Sequence, residues 1–138
     1  LTDPRALCVT HGDAHSWNFL FPRSGGGPAV LVDWQLWHVD VGARDLAFLI
    51  AQHWSPDRRR ELERPVLRRY HARLEAAGVQ GYSFDDLLLD YRRGAVRNLT
   101  FPLQLWKREM APEAWYHRLE CALAAYRDLD CDEILDVV

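Results

Sequence analysis

Seven residues, Pro22-Arg23-Ser24-Gly25-Gly26-Gly27-Pro28, constrain the fold of this chain more than any others. Glycine and proline together leave neither a helix nor a paired strand open to them. Short apolar stretches flank them: Asn18-Phe19-Leu20-Phe21 before, and the β-branched Ala29-Val30-Leu31-Val32-Asp33 after. Strand, flexible turn and strand predict a hairpin, and a hairpin brings Asn18 and Asp33 to one end. A further apolar stretch, Arg5-Ala6-Leu7-Cys8-Val9-Thr10, reads as a buried strand that delivers His11 and Asp13. Cys8 within it is expected to be a small core residue.

The polar residues gathered at that end suit one chemistry. In His11-Gly12-Asp13-Ala14-His15-Ser16-Trp17-Asn18 an Asn follows an Asp by five residues, and Asp33 ends the later strand. Metal-assisted phosphoryl transfer needs one carboxylate beside the attacking hydroxyl. It also needs an amide oxygen and a second carboxylate to hold Mg²⁺ against the nucleotide phosphates. Mg²⁺ takes hard oxygen ligands and few protein carboxylates. Asp33 follows four apolar residues, and a charge at a buried strand end is costly unless paired or metal-bound. The plain alternatives are a turn-capping Asp13 and a strand-entry Asn18; the surrounding pattern weighs against both.

His-Gly-Asp-x-His-x-x-Asn, followed by an apolar run and Asp-Trp, resembles the aminoglycoside phosphotransferase and choline kinase superfamily, distant relatives of the protein kinases. The protein-kinase loop keeps the same Asp-to-Asn spacing. Asp33-Trp34-Gln35, the run from Asp45 to Ile50 and the helical remainder are most similar to the ecdysteroid-kinase-like branch. The motifs cover about residues 9–50, and the rest agrees in pattern alone. The resemblance implies an ATP-dependent small-molecule kinase. By it, Asp13 accepts or orients the acceptor hydroxyl, and Asn18 and Asp33 bind Mg²⁺ on ATP. His11, beside Asp13 in the catalytic loop, supports that loop rather than transferring protons, and Asp45 braces it by hydrogen bonding. His15 stands where phosphotransferases often carry His, and Gln35 replaces the Gly of the protein-kinase triplet; both belong around the site.

Composition narrows the class. A chain of 138 residues, 49% hydrophobic and 27% charged, reads as one soluble globular domain. A formal net charge of −3 leaves no basic footprint for nucleic acid. Arg58-Arg59-Arg60 is followed at once by Glu61 and Glu63, as on a solvated helix face. No apolar run approaches the roughly 18–20 residues of a membrane span, and Leu1-Thr2-Asp3-Pro4 has no signal-peptide pattern. Cys8, Cys121 and Cys131 form no Cys-x-x-Cys pair, so reduced cytoplasmic thiols are expected. The chain opens without Met, almost directly on the catalytic segment, with no Gly-rich loop or strand Lys upstream. If the resemblance holds, residues 1–138 are the carboxyl-terminal catalytic and acceptor-binding lobe, without the amino-terminal nucleotide-binding lobe. Such a fragment is expected to be inactive alone.

The remainder reads as helical, so the expected class is α+β, mainly α: a protein-kinase-like carboxyl-terminal lobe whose short β-hairpin packs on a helical bundle. Gln35 to Gly42 reads as an irregular link. Ala43 to Trp54, apolar almost all round, reads as a central helix with Asp45 in its first turn. Leu62, Val66, Tyr70 and Leu74 recur every four residues, Pro65 predicts a kink or split, and Gly78 a stop. Ser83-Phe84-Asp85-Asp86 has a capping-box pattern, followed by an apolar face of Phe84, Leu87, Leu88, Tyr91, Ala95 and Leu99. Pro102 predicts an interruption, Pro112 a new first turn, and Asp132 a short final helix.

The partner is a small-molecule hydroxyl acceptor of unspecified kind, since kinases of amino sugars, choline-like amines and sterols share this loop. Trp106, Trp115 and Tyr91 are candidates for its pocket, although aromatics at helical spacing usually belong to a core. Asp85, Asp86 and Asp90 suit a cationic acceptor, yet an acidic first turn explains the first two. His38, His53, His71 and His117 lack metal-like spacing and read as surface or core residues. Two other functions fit less of the pattern. His11-x-Asp13-x-His15 presents three ligands at alternate positions, as in a metallohydrolase, but leaves Asn18, Asp33 and Asp45 unexplained. A non-catalytic remnant or pseudokinase module is the other, and intact Asp13, Asn18 and Asp33 argue against a decayed site.

Overall fold

The computed structural model describes residues 7–23 and 25–135, so Arg5, Ala6 and Ser24 of the expected strand and loop lie outside the described residues. β1 (Leu7–Thr10) is followed by a 3₁₀ turn at Ser16–Asn18, β2 (Phe19–Leu20), β3 (Val30–Leu31), a second 3₁₀ turn at Trp34–Leu36 and β4 (His38–Val41). β2 and β3 form the predicted antiparallel hairpin, with Phe19 opposite Leu31 and Leu20 opposite Val30. The register carried one step further sets Asn18 opposite Val32, and the Val32 amide donates to the Asn18 carbonyl at 2.9 Å.

The expected irregular link contains a strand. β4 pairs antiparallel with β1, Val9 opposite Val39 and Thr10 opposite His38. Its alternation of Val39 and Val41 with polar residues is a two-residue period. Cys8 is exposed, contrary to expectation. Leu7, Val9 and Val39, on the other face of the sheet, are exposed as well, so among the described residues that face lacks a cover.

The core belongs to the helices: α1 (Ala43–Ala51), α2 (Pro56–Ala76), α3 (Phe84–Asn98), α4 (Thr100–Lys107) and α5 (Pro112–Asp128). The fold class is α+β, mainly α. α1 is central because its side chains are small: Ala43, Ala47 and Ala51 are buried with Ile50, against Leu87, Tyr91 and Ala95 of α3. A methyl group on Gly94 of α3 would come within 2.7 Å of the Ala47 Cβ, which measures how closely the two helices approach.

α2 runs unbroken through Pro65, so the helix is not split. Pro65 and Glu61, whose carbonyl loses its donor, both lie on the exposed face, where water can replace the missing bond. The helix stops at Ala76, with Gly78 at φ +88° just beyond. α3 opens with the expected capping box: the Asp86 amide donates to Ser83 Oγ at 3.1 Å and the Ser83 amide to Asp86 Oδ2 at 2.8 Å. The next break falls at Leu99 rather than at Pro102. Pro102 sits in the first turn of α4, where its missing N–H has no helical partner to lose. A 3₁₀ turn at Cys131–Ile134 follows α5. Among the described residues no helix is long and apolar enough to cross a membrane.

One expectation about the basic run fails outright. Arg59 is 1% exposed, its Nη1 donating to Glu63 Oε2 at 3.0 Å and its Nη2 paired with Asp128 of α5. Glu63 also accepts from the Tyr91 hydroxyl at 2.8 Å. A buried charge needs partners of this kind, and here they tie α2, α3 and α5 together. Arg58 and Arg60 do remain on the outside.

Candidate active site

The loop after β1 is held by its own polar atoms. Buried His11 has both ring nitrogens engaged: Nδ1 lies 3.2 Å from the Asp13 amide and Nε2 2.8 Å from the Val32 carbonyl. An amide can only donate and a carbonyl only accept, so the ring is the neutral Nε2–H tautomer. It thereby fastens the loop to the hairpin. Asp45, in the first turn of α1, grips the loop from below, Oδ2 accepting from the His11 amide at 2.6 Å and Oδ1 from the Gly12 amide at 3.0 Å. Charge-assisted bonds to backbone N–H groups are among the stronger ones.

Gly12 has φ +79°, and a Cβ there would lie 2.4 Å from the Leu36 carbonyl oxygen. Gly12→Ala therefore combines left-handed strain with a clash against backbone, an expected loss of about 2–4 kcal/mol. Thermal melting checks this; an unchanged midpoint would mean that the loop reopens without cost.

Asn18 is 7% exposed and its Nδ2 donates to the Asp13 carbonyl at 2.9 Å. A carbonyl partner dictates which way round the amide lies, so Oδ1 is the atom left over. Asp33 follows β3 in a left-handed conformation, φ 65°, and makes no capping hydrogen bond. It is exposed, so the burial cost invoked from its apolar neighbours does not apply. Its conformation turns the chain abruptly out of the hairpin into the 3₁₀ turn. His11, Asp13 and Asn18 are thus linked by hydrogen bonds to one another and to Val32, next to Asp33. Gln35 lies exposed on the turn beyond, with no hydrogen bond to these residues.

The hydrolase reading loses its ligands here. Both His11 nitrogens are spent within the protein, and among the described residues no group of three or more His, Cys, Asp or Glu could hold a metal. His15 and Asp13 do meet, Nε2 to Oδ2 at 3.4 Å.

The aromatic pocket expected from the distal helices is different in kind. Tyr91 is fully buried and spent on Glu63. Trp106 and Trp115 line a groove with Met110 and Pro112 where α4 turns into α5. Asp86 serves the α3 cap, while Asp90 accepts from the Tyr82 hydroxyl at 3.1 Å and pairs with Arg93 at 3.0 Å. The cavity beside Asp13 is formed instead by His15, Trp17, His53, Glu113, His117 and Arg118, and measures about 210 Å³. His53 and His117, set aside in the sequence for want of metal-like spacing, belong to it, and Arg118 was not singled out at all. Three distant segments meet there, so no local motif announces the cavity.

Neither curated proteins nor solved structures include a match to this chain. A family model does match, over residues 1–88, which hold the loop, the hairpin, α1 and α2. With the greater part of its length so matched, the chain belongs to the phosphotransferase enzyme family.

Proposed function

We propose that this chain is the catalytic and acceptor-binding lobe of a cytoplasmic, ATP-dependent small-molecule kinase, nearest the ecdysteroid-kinase-like branch. One observation carries the proposal: the backbone of the loop is fixed from both sides, by Asp45 below and by His11 and Asn18 toward the hairpin. Among the described residues, that fixing leaves the Asp13 carboxylate free of structural duty beyond its contact with His15. Asp13 then orients the acceptor hydroxyl and takes its proton as the oxygen bonds to the γ-phosphorus. Asp45 and His11 are positioning residues. A kinase-like nucleotide-binding lobe completes the enzyme, covering exposed Leu7, Val9 and Val39 of the sheet and Leu20 and Val30 of the hairpin.

Asn18 and Asp33 fit Mg²⁺. Asn18 offers a carbonyl oxygen its own hydrogen bond leaves over, and Asp33 an exposed carboxylate without a capping bond. One carboxylate with one amide oxygen is the small hard-donor set that Mg²⁺ accepts beside phosphates and water. Bound there, the ion would neutralise charge on the phosphate oxygens. Mn²⁺, a paramagnetic stand-in, tests the assignment in the 138-residue chain. It is expected to broaden the amide resonances of Trp17 to Phe19, and Asp33→Asn to abolish most of that broadening. Equal broadening in the variant would remove Asp33 from the metal site.

A further inference from the structure

The cavity beside Asp13 carries a charge that the fold does not use. Arg118, half-buried on α5, has neutral partners alone: Nη1 on the Ala114 carbonyl, Nε 3.5 Å from His53 Nε2, and the Phe101 ring 5.9 Å away. Among the described residues it makes no ion pair, and a guanidinium partly withdrawn from water without an anion is costly. His53 cannot serve as that anion. Its Nδ1–H donates to the Phe48 carbonyl at 2.8 Å, and burial holds the ring below the usual imidazole range, so it stays neutral.

At its other end the cavity wall reaches Asp13 through His15, whose Nε2 lies 3.4 Å from the Asp13 carboxylate. Asp13, His15, His53 and Arg118 succeed one another, the two imidazole rings 5.8 Å apart at the centre. One end of the row is a carboxylate suited to a reacting hydroxyl, and the far end asks for an oxyanion.

We propose that this cavity is the acceptor site and that the acceptor is a small hydroxy acid. Its carboxylate pairs with Arg118, and a hydroxyl is presented to Asp13. A cationic amino sugar or choline-like amine would place like charge against Arg118. The assignment rests on the kinase reading for its chemistry. The acceptor oxygen forms the new bond to the γ-phosphorus of ATP, and the bond from that phosphorus to the bridging oxygen breaks. ADP leaves with the electron pair, and the hydroxyl proton passes to Asp13. Among the described residues Glu113, exposed at the rim, is the one acidic wall residue and works against an anionic acceptor.

Binding tests this without nucleotide, by ¹H–¹⁵N chemical-shift titration of the 138-residue chain with D-gluconate and glycerate. Sorbitol and glycerol serve as uncharged counterparts, glucosamine and choline as cations, and inorganic phosphate as a bare oxyanion. The acids should move the Ser16, Trp17 and Arg118 resonances at least tenfold more tightly than every other probe. Arg118→Gln should remove that preference, and Glu113→Gln, a change on the exposed rim, should strengthen acid binding several-fold. No response to the acids overturns the proposal, as do equal affinity for phosphate, preference for the cations, or acid binding indifferent to Arg118. If Arg118→Gln fails to fold, the acid-to-polyol ratio and Glu113→Gln decide. Loss of Mn²⁺ broadening in Asp33→Asn without acid binding would sink this assignment alone. Arg118-dependent acid binding with Mn²⁺ indifferent to Asp33 would instead sink the kinase reading and leave a hydroxy-acid site.

Discussion

Asp13→Asn is expected to lower the turnover number about 10²–10⁴-fold, the usual contribution of general-base assistance, with little change in melting temperature. The two halves of that expectation have separate physical origins. The backbone of residue 13 is fixed through its own amide on His11 Nδ1 and its own carbonyl under Asn18 Nδ2. Neither bond involves the side chain, so an isosteric amide leaves the loop in place while removing the negative charge beside the acceptor hydroxyl. On the proposed kinase reading, nucleotide affinity should change little, since the phosphates would depend on Mg²⁺ and on a nucleotide-binding lobe. The measurement is steady-state transfer by the polypeptide joined to that lobe, with D-gluconate as acceptor, beside thermal melting of the same protein. Near-parental turnover would reduce Asp13 to a turn residue.

Arg59→Ala should have the largest effect on stability. It leaves Glu63, 9% exposed, without its cation and strips Asp128 of one of its two guanidinium partners. Breaking a buried pair from one side costs about 3–5 kcal/mol, roughly 10–20 °C in melting temperature for a domain of this size. The Tyr91 hydroxyl would remain a donor to Glu63, because burial and the carboxylate push its pKa well above the usual phenol range. Arg60→Ala is the contrast: Arg60 is exposed, and its bridges to Asp57 and Asp128 are of the surface kind, so the melting temperature should hardly move. Acid should loosen the same junction. Hydrogen bonding from Arg60, with Arg59 adding to it, holds Asp128 below the ordinary carboxylate range. A lowered folded pKa gives stability that is full above the unfolded value near 3.9 and is lost as pH falls through the folded one. An Arg59→Ala midpoint within a few degrees of the parent would show the charges to be solvated.

What was legible in the sequence depended on locality. Pro22 to Pro28 announced the hairpin because backbone chemistry alone closes other options there, and Ser83 with Asp86 announced a helix start for the same reason. Tolerance was harder to read. Pro65 breaks helices in general, and here the carbonyl it orphans faces water, a fact of packing that no window around it contains. β4 was missed because four residues between a turn and a helix leave its two-residue period little room to show. Arg59 was misjudged because its neighbours in the chain are charged, whereas its neighbours in space are Glu63, Tyr91 and Asp128. The loop residues were visible as a spacing, but the wall of the cavity was not. His15, His53 and Arg118 come from three segments whose meeting is decided by how α1 and α5 pack.

Asp45 separates two jobs that a smaller protein would have to merge. Its grip on the His11 and Gly12 amides hangs the loop from α1, the helix most deeply set in the core, while the facing wall of the cavity is carried by α5. Residues such as Glu113 and His117 can therefore drift over generations without disturbing the anchor of the loop. On the proposed reading, a lineage built on this plan could change its acceptor by rewriting one helix face, and keep the reaction.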